Sequence, residues 1–184
     1  AARTRRGGSI PGGNKSSWFM DHRRSGGVLI DLAVHDFDWL RWTLGEVEHL
    51  YARSVGSKTM QGPDYALTTL TFDSGAVAHV EATWMDPSGF RTTFEVCGSG
   101  GMVEFDSRTT ASLRTHLPSG SRGESNLSPL DDPYYGELRG FTDAVKAGST
   151  PPVTAYDGLM ALSIALTAFE SAATGKVLRP PREF

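Results

Sequence analysis

The chain contains one cysteine, Cys97, among 184 residues. An intrachain disulfide framework is therefore excluded, and a cysteine-built zinc site is disfavoured. Apolar runs long enough for a bilayer span, about 18–20 residues, are missing. The first residues also lack the charged-then-apolar layout of a signal peptide. Positive charge is scarce and scattered: 18 Lys and Arg against 21 Asp and Glu give a net charge of -3. Basic residues gather only at Arg3, Arg5 and Arg6 and at Arg23 and Arg24, whereas nucleic-acid binding needs a sustained basic face. Also missing is a G-x-G-x-x-G segment between a strand and a helix, with a carboxylate about 20 residues later, the mark of a dinucleotide site. The clusters "GGSIPGG" and "CGSGGMVEF" instead read as turns. These absences lead to the expectation of a soluble, cytoplasmic protein with no nucleic-acid or membrane partner and no cofactor-binding residues of its own. The opening "AARTRR" has no methionine, which raises the question of whether the chain is a piece of something longer.

Hydrophobic residues make up 39% and charged residues 21%, an ordinary globular balance that favours one domain over the whole chain, 1–184. A short strand at Ala1 to Arg6 leads into a Gly-, Pro- and Ser-rich loop. A helix is expected from Gly27 to Leu44: Ala33, Phe37, Leu40 and Leu44 share one face, and Gly45 stops it. The pattern then alternates. "VEHLYARSVGS" reads as a strand, "YALTTLTFDSGAVAHVEATWM" as a hairpin turning at Asp73 to Gly75, and "FRTTFEVCG" and "MVEFD" as strands joined by a tight turn. "ASLRTH" fits one more. In the second hairpin arm, Ala76, Ala78, Val80, Ala82 and Trp84 share a face for helices to cover, and the mixed opposite face suits an oligomer interface. Residues 115 to 132 have a loop composition. Two helices follow. One has Pro133 near its start, a stripe of Tyr134, Leu138, Phe141 and Val145, and Gly148 as its stop. The other is apolar on most sides, with Thr154 as N-cap and Gly175 past its end. The fold class is α+β: a largely antiparallel open β-sheet, an expected six-strand meander after the first strand, with helices packed on one face.

Chemistry concentrates in "SGGVLIDLAVHDFDWLRW". Asp31 and His35 stand four apart, one helical turn, with Asp38 and Trp42 continuing the stripe beside the core face. Near the first turn the helix macrodipole favours an ionised Asp31. A carboxylate that orients one imidazole nitrogen leaves the other free to exchange a proton with a substrate hydroxyl. The same spacing also suits an exposed ion pair worth a few tenths of a kcal/mol. A metal site would need more ligands than one carboxylate and one imidazole, and none is expected. Asp36 is expected to face solvent. Cys97, on an apparent strand, reads as a small core residue rather than a nucleophile. His22, His49, His79 and His116 have no partners at motif spacing. Trp18, just before the helix, either packs there or bounds a pocket.

The stretch "SGGVLIDLAVHDFDWLRWTLGEVEHLYA" resembles the signature of the glucose-fructose oxidoreductase, inositol dehydrogenase and MocA (Gfo/Idh/MocA) family. In it a G-G-x-x-x-D-x-x-x-H-x-x-D helix ends in W/Y-x-x-G, and Gly26, Gly27, Asp31, His35, Asp38, Trp42 and Gly45 occupy those places. "SSWFMD", "FEVCGSGGMVEFD" and the two C-terminal helices extend the likeness over essentially the whole chain. The resemblance implies the second, substrate-binding and oligomerisation domain of a two-domain NAD- or NADP-dependent dehydrogenase acting on a sugar, cyclitol or related polyol. That domain has the open-sheet fold also found in glyceraldehyde-3-phosphate dehydrogenase-like enzymes, and the Rossmann domain that binds the cofactor lies outside this chain. It further implies His35 as the proton acceptor or donor and Asp31 as its catalytic partner, with Asn14, Ser16, Trp18 and Asp38 toward the substrate. The family's E-K-P lysine belongs to the other domain, and Lys15 has no such motif around it. A homodimer or homotetramer through the open sheet face is implied, and the isolated chain is expected to be inactive. A non-catalytic binding or assembly module derived from the same family is the alternative.

Overall fold

The computed structural model describes residues 1–10, 18–56, 62–124 and 132–184. Eight strands form one sheet: β1 (Ala2–Gly7), β2 (Val47–Val55), β3 (Tyr65–Phe72), β4 (Val77–Thr83), β5 (Arg91–Gly98), β6 (Gly101–Asp106), β7 (Leu113–Leu117) and β8 (Gly120–Glu124). Their order is β2-β3-β4-β1-β5-β6-β7-β8. Every neighbouring pair is antiparallel except β1 with β4, which run parallel with Thr4 opposite Val80. The sequence's first strand thus lies inside the sheet, between two sets of strands that are each consecutive in sequence.

The alternation read in β4 holds: Ala78, Val80, Ala82 and Trp84 are buried, while Val77 and Met85 are exposed on the other face. The strand expected at "ASLRTH" is present as β7, but the loop expected after it is corrected. Pro118 and Ser119 make a turn into β8, which pairs back on β7 through Thr115 with Arg122 and His116 with Ser121. Because the described side chains of β8 are exposed, the hairpin carries no apolar alternation from which a strand could be read. The expectation of a small core residue at Cys97 is also corrected: Cys97 is exposed. It lies opposite Met102 on the open sheet face, and that face has no helix over it to enclose a side chain.

Helices cover the half of the sheet built from β2, β3, β4 and β1. After a short helix α1 (His22–Ser25), a π-helical turn at Leu29–Ala33 runs directly into α2 (Val34–Leu44). The expected helix from Gly27 to Leu44 is present without a break, with a wider π turn at Leu29–Ala33 inside it. Gly26 and Gly27, at φ 74 and 67, make the reversal before it. A Cβ on Gly27 would sit 3.0 Å from the Pro63 carbonyl oxygen and 3.1 Å from His22 Nδ1, so close approach adds to the demand for glycine. From the π turn and α2, Leu29, Leu32, Ala33, Phe37 and Leu40 enter the core, meeting Leu50, Leu70, Phe72 and Val80 from the sheet.

The last two helices are α3 (Pro133–Ala147) and α4 (Ala155–Thr174). Helix α4 packs on β2 and α2 and buries Met160, Ala161, Ile164, Ala165 and Ala168, while Leu159, Leu162 and Leu166 remain exposed. It is a one-sided core helix rather than one enclosed all round. Helix α3 has the expected stripe of Tyr134, Leu138, Phe141 and Val145, yet all four are exposed and Ala144 is the helix's one buried residue. Beyond α4, the chain returns along the outer edge of the sheet. Leu178 and Leu50 exchange backbone hydrogen bonds of 2.8 and 2.9 Å, and Arg182 clamps Asp73 at 2.7 Å. Among the described residues no helix is long and apolar enough to cross a membrane.

Candidate active site

Asp31 sits in the π turn, one turn before His35 in the first turn of α2. Single π turns inside helices recur at functional sites because the extra residue re-aims side chains without breaking the helix. Asp31 is partly buried and His35 is exposed. The two are close enough for a charge on His35 to lower the Asp31 pKa. The imidazole is exposed and makes no hydrogen bond to any described residue.

Burial is the largest influence on Asp31 and raises its pKa above the ordinary carboxylate value, against the smaller lowering by His35 and by the Trp84 indole. The helix-end stabilisation expected from sequence is thus outweighed by loss of water around the acid. Trp84 follows β4 and is buried. Its Nε1–H has no partner in full hydrogen-bond geometry, but it lies close enough to Asp31 for its dipole to favour the carboxylate. Phe19 packs edge-on against Trp84 with centroids 6.1 Å apart, and Trp18 stacks on Phe19 at 4.0 Å. A line of three aromatic rings therefore runs from the exposed Trp18 to the carboxylate.

Asp38 continues the stripe and is partly buried. Its pKa is raised, first by burial and then by repulsion from Asp157, against the attraction of Arg41 and His35. Arg41 spans the end of the helix, 3.0 Å from Asp157 on α4 and 2.7 Å from Glu46.

Asp36 overturns its expected place. It is buried rather than solvent-facing, 4% exposed, and its carboxylate accepts a 2.9 Å hydrogen bond from Arg6 Nε on β1. The signal was present in the sequence, since Asp36 falls at i+3 from Ala33 and i−4 from Leu40, on the apolar stripe itself. A charge on that stripe requires a buried partner. Trp84 had a comparable signal: an indole on the buried face of a strand needs somewhere to direct its N–H.

The structure therefore brings together Asp31, His35 and Asp38 along one side of a helix, with Trp18 linked to Asp31 through Phe19 and Trp84. Asn14 and Ser16 lie outside the described residues. No group of three or more His, Cys, Asp or Glu side chains able to hold a metal occurs among the described residues. Of the other histidines, His22 stacks on Phe169 at 4.9 Å with a buried, unpartnered Nδ1. His116 bonds Ser121 and Glu104.

A depression of about 400 Å³ lies elsewhere, on the open face of the sheet. Its charges are already matched within the chain: Arg3 with Glu95, Arg5 with Glu81 and Asp86, Arg91 with Asp106, and Arg114 with Glu104. Paired groups of this kind have little left over for binding or bond-making.

Residues 1–104 match the GFO/IDH/MocA C-terminal domain family. The chain is 32% identical over 161 residues to myo-inositol 2-dehydrogenase of Thermotoga maritima, covering 81% of this chain and 48% of that protein. It is 31% identical over 168 residues to the NAD(+)-dependent scyllo-inositol 2-dehydrogenase of Bacillus subtilis, covering 85% and 48%. It thus spans about half the length of these relatives. In fold it is similar to a levoglucosan dehydrogenase solved with NADH and levoglucosan, with a TM-score of 0.87 at 22% identity, covering 99% of this chain and 59% of that one. Sequence match, sheet topology and the D-x-x-x-H helix agree, and the chain belongs to the Gfo/Idh/MocA family as its C-terminal domain.

Proposed function

We propose that this chain is the substrate-binding half of a nicotinamide-dependent dehydrogenase acting on a secondary hydroxyl of a cyclitol or sugar. The supporting observation is a partly buried Asp31 one turn from an exposed His35, near enough for their charges to interact, on the helix that carries the family motif. In this reading His35 takes the hydroxyl proton as the carbon is oxidised, and the Asp31 carboxylate one turn away offsets the positive charge that this puts on the ring. Asp38, Asn14 and Ser16 orient other hydroxyls. Trp18 offers its exposed ring to the apolar face of the substrate, a use suited to an amphipathic aromatic.

NAD or NADP, when bound, accepts the hydride from that carbon. The residues of this chain fit such a partner in one respect: His35 faces outward, where a second domain can present the nicotinamide. They do not supply a phosphate-binding fingerprint, so the dinucleotide would be held by that domain. The isolated 184 residues are accordingly inactive in this reading and do not bind NADH tightly; micromolar affinity in a fluorescence titration would contradict it. Self-association to a dimer or tetramer uses the open sheet face, where Leu67 and Val77 are exposed among the paired charges.

The decisive experiment is made in the full-length protein carrying this chain, assayed with myo- and scyllo-inositol and NAD+. His35→Ala and Asp31→Ala are each expected to lower kcat by roughly 10²–10⁴-fold while leaving NADH affinity within a factor of about three. Near-normal turnover in both variants would remove the assignment.

A further inference from the structure

We infer that Arg6 and Asp36 form a positioning pair that fixes the rotation of α2 about its own axis, and with it the placement of His35. This inference rests on the proposed role of His35. The pair joins β1, at the centre of the sheet, to the first turn of α2 through the 2.9 Å contact from Arg6 Nε to Asp36 Oδ2. Asp36 is the residue directly after His35, so whatever holds one constrains the other.

Three observations separate this pair from ordinary surface ion pairs. First, it is enclosed: the side chains of Arg6 and Asp36 are 22% and 5% exposed. Thr4, on the same strand face, places a buried hydroxyl beside the carboxylate. Second, the two ends of α2 are held differently. The C-terminal end is tied by Arg41 to Asp157 and Glu46, whereas Asp36 supplies the polar contact near the N-terminal end. The remaining contacts there, through Ala33, Phe37 and Leu40, are apolar and non-directional, so they resist separation of helix and sheet more than rolling. Third, a buried ion pair is poor evidence of stabilisation, since apolar replacements of similar volume often do as well, and fixing a unique arrangement is its better-supported use.

The geometry sets the scale of the effect. A side chain of a helix reaches about 5–6 Å from the axis, so a roll of about 10° carries its tip about 1 Å. A displacement of that size at a reacting group costs on the order of 10²-fold in rate. Rolling moves Asp38 along with His35 but leaves Trp18, which lies outside α2, in place, so kcat should fall more than KM rises.

The test compares wild type with the double variant R6M/D36L, which removes both charges together and leaves no unpaired ion, and with R6K, which keeps the charge but loses the planar fork. In the full-length protein with myo- and scyllo-inositol and NAD+, R6M/D36L is expected to retain its circular dichroism and melt cooperatively. Its kcat should fall at least tenfold while KM changes less than threefold, and R6K should fall between it and wild type. A second readout needs no turnover. In this chain labelled with ¹⁵N-histidine, the imidazole cross-peaks of His35 should change their tautomer pattern in R6M/D36L. Unchanged kcat together with an unchanged His35 spectrum in R6M/D36L would overturn the inference. If that variant fails to fold, R6K decides, and wild-type kcat and His35 spectrum in R6K overturn it. The two readings fail separately: full turnover in His35→Ala defeats the assignment of His35, whatever the spectrum of R6M/D36L shows.

Discussion

Asp31 sits in surroundings that oppose its charge. Burial raises its pKa, and His35 and the Trp84 indole only partly restore the ionised form. The sign for stability follows directly. A carboxyl group whose folded pKa exceeds its unfolded value penalises the native state once it must ionise, and the penalty disappears as pH falls through the folded pKa and the acid is protonated. Asp31→Asn is therefore expected to melt at a higher temperature than wild type at pH 7, with the difference shrinking on acidification toward the ordinary carboxylate range. Thermal scans across that interval check it, and an advantage that grew on acidification would contradict the sign. The same logic makes Trp84→Phe raise the Asp31 pKa further, visible in a carboxyl ¹³C titration, because the phenyl ring packs but offers no N–H. A more stable, less active Asp31→Asn would be the ordinary exchange between stability and function at a working site.

At the scale of elements, helix ends were the most readable features. Thr154 caps α4 in a reciprocal box with Asp157, and Gly148 and Gly175 end α3 and α4 at φ 62 and 71. Such ends depend on a few neighbouring residues, which a sequence displays directly. Asp157 is held down to about 2, chiefly by the Thr154 hydroxyl and backbone and then by Arg41. Its contribution is present above the unfolded carboxylate pKa and lost as pH falls toward 2. Thr154→Ala is expected to cost about 1 kcal/mol, measurable as a shift in the denaturant midpoint with unchanged slope. Less readable were features set by remote neighbours. The π turn before α2, the strand β8, the exposure of Cys97 and the choice of Arg6 as partner for Asp36 each depend on what packs, or does not pack, across the sheet. Asp31, His35 and Asp38 could be placed on one side of a helix from spacing, because α2 and the π turn keep them there. Trp84 and Arg6 could not, since strands carry them to the helix from 53 residues later and 25 residues earlier than Asp31.

For the molecule as a whole, the two sides of the sheet differ in what they offer. One carries the core and the candidate site, and the other presents matched charges with exposed Leu67 and Val77. Association through the second face predicts a dimer or tetramer in light scattering. Replacing Leu67 with Glu, which faces Glu81 across the β3–β4 pair, should shift the mass toward monomer, whereas a monomeric wild type would remove that use of the face.

The position of β1 bears on how the sheet comes together. Strands β2 to β4 form one local antiparallel run and β5 to β8 another, each joined by short connections, and such runs close their chain loops at low entropic cost. β1 is the first strand in the chain, yet Thr4 must find Val80 and Phe94, partners that emerge much later in synthesis. Until both exist, each run ends in an open edge of unpaired backbone groups, the surface on which chains stick to one another. The step that seals those edges is the one with the longest sequence separation, so it is expected to limit the folding rate. The same insertion carries Arg6 to Asp36, so the slow step expected for the sheet is also the event that seats the helix bearing His35.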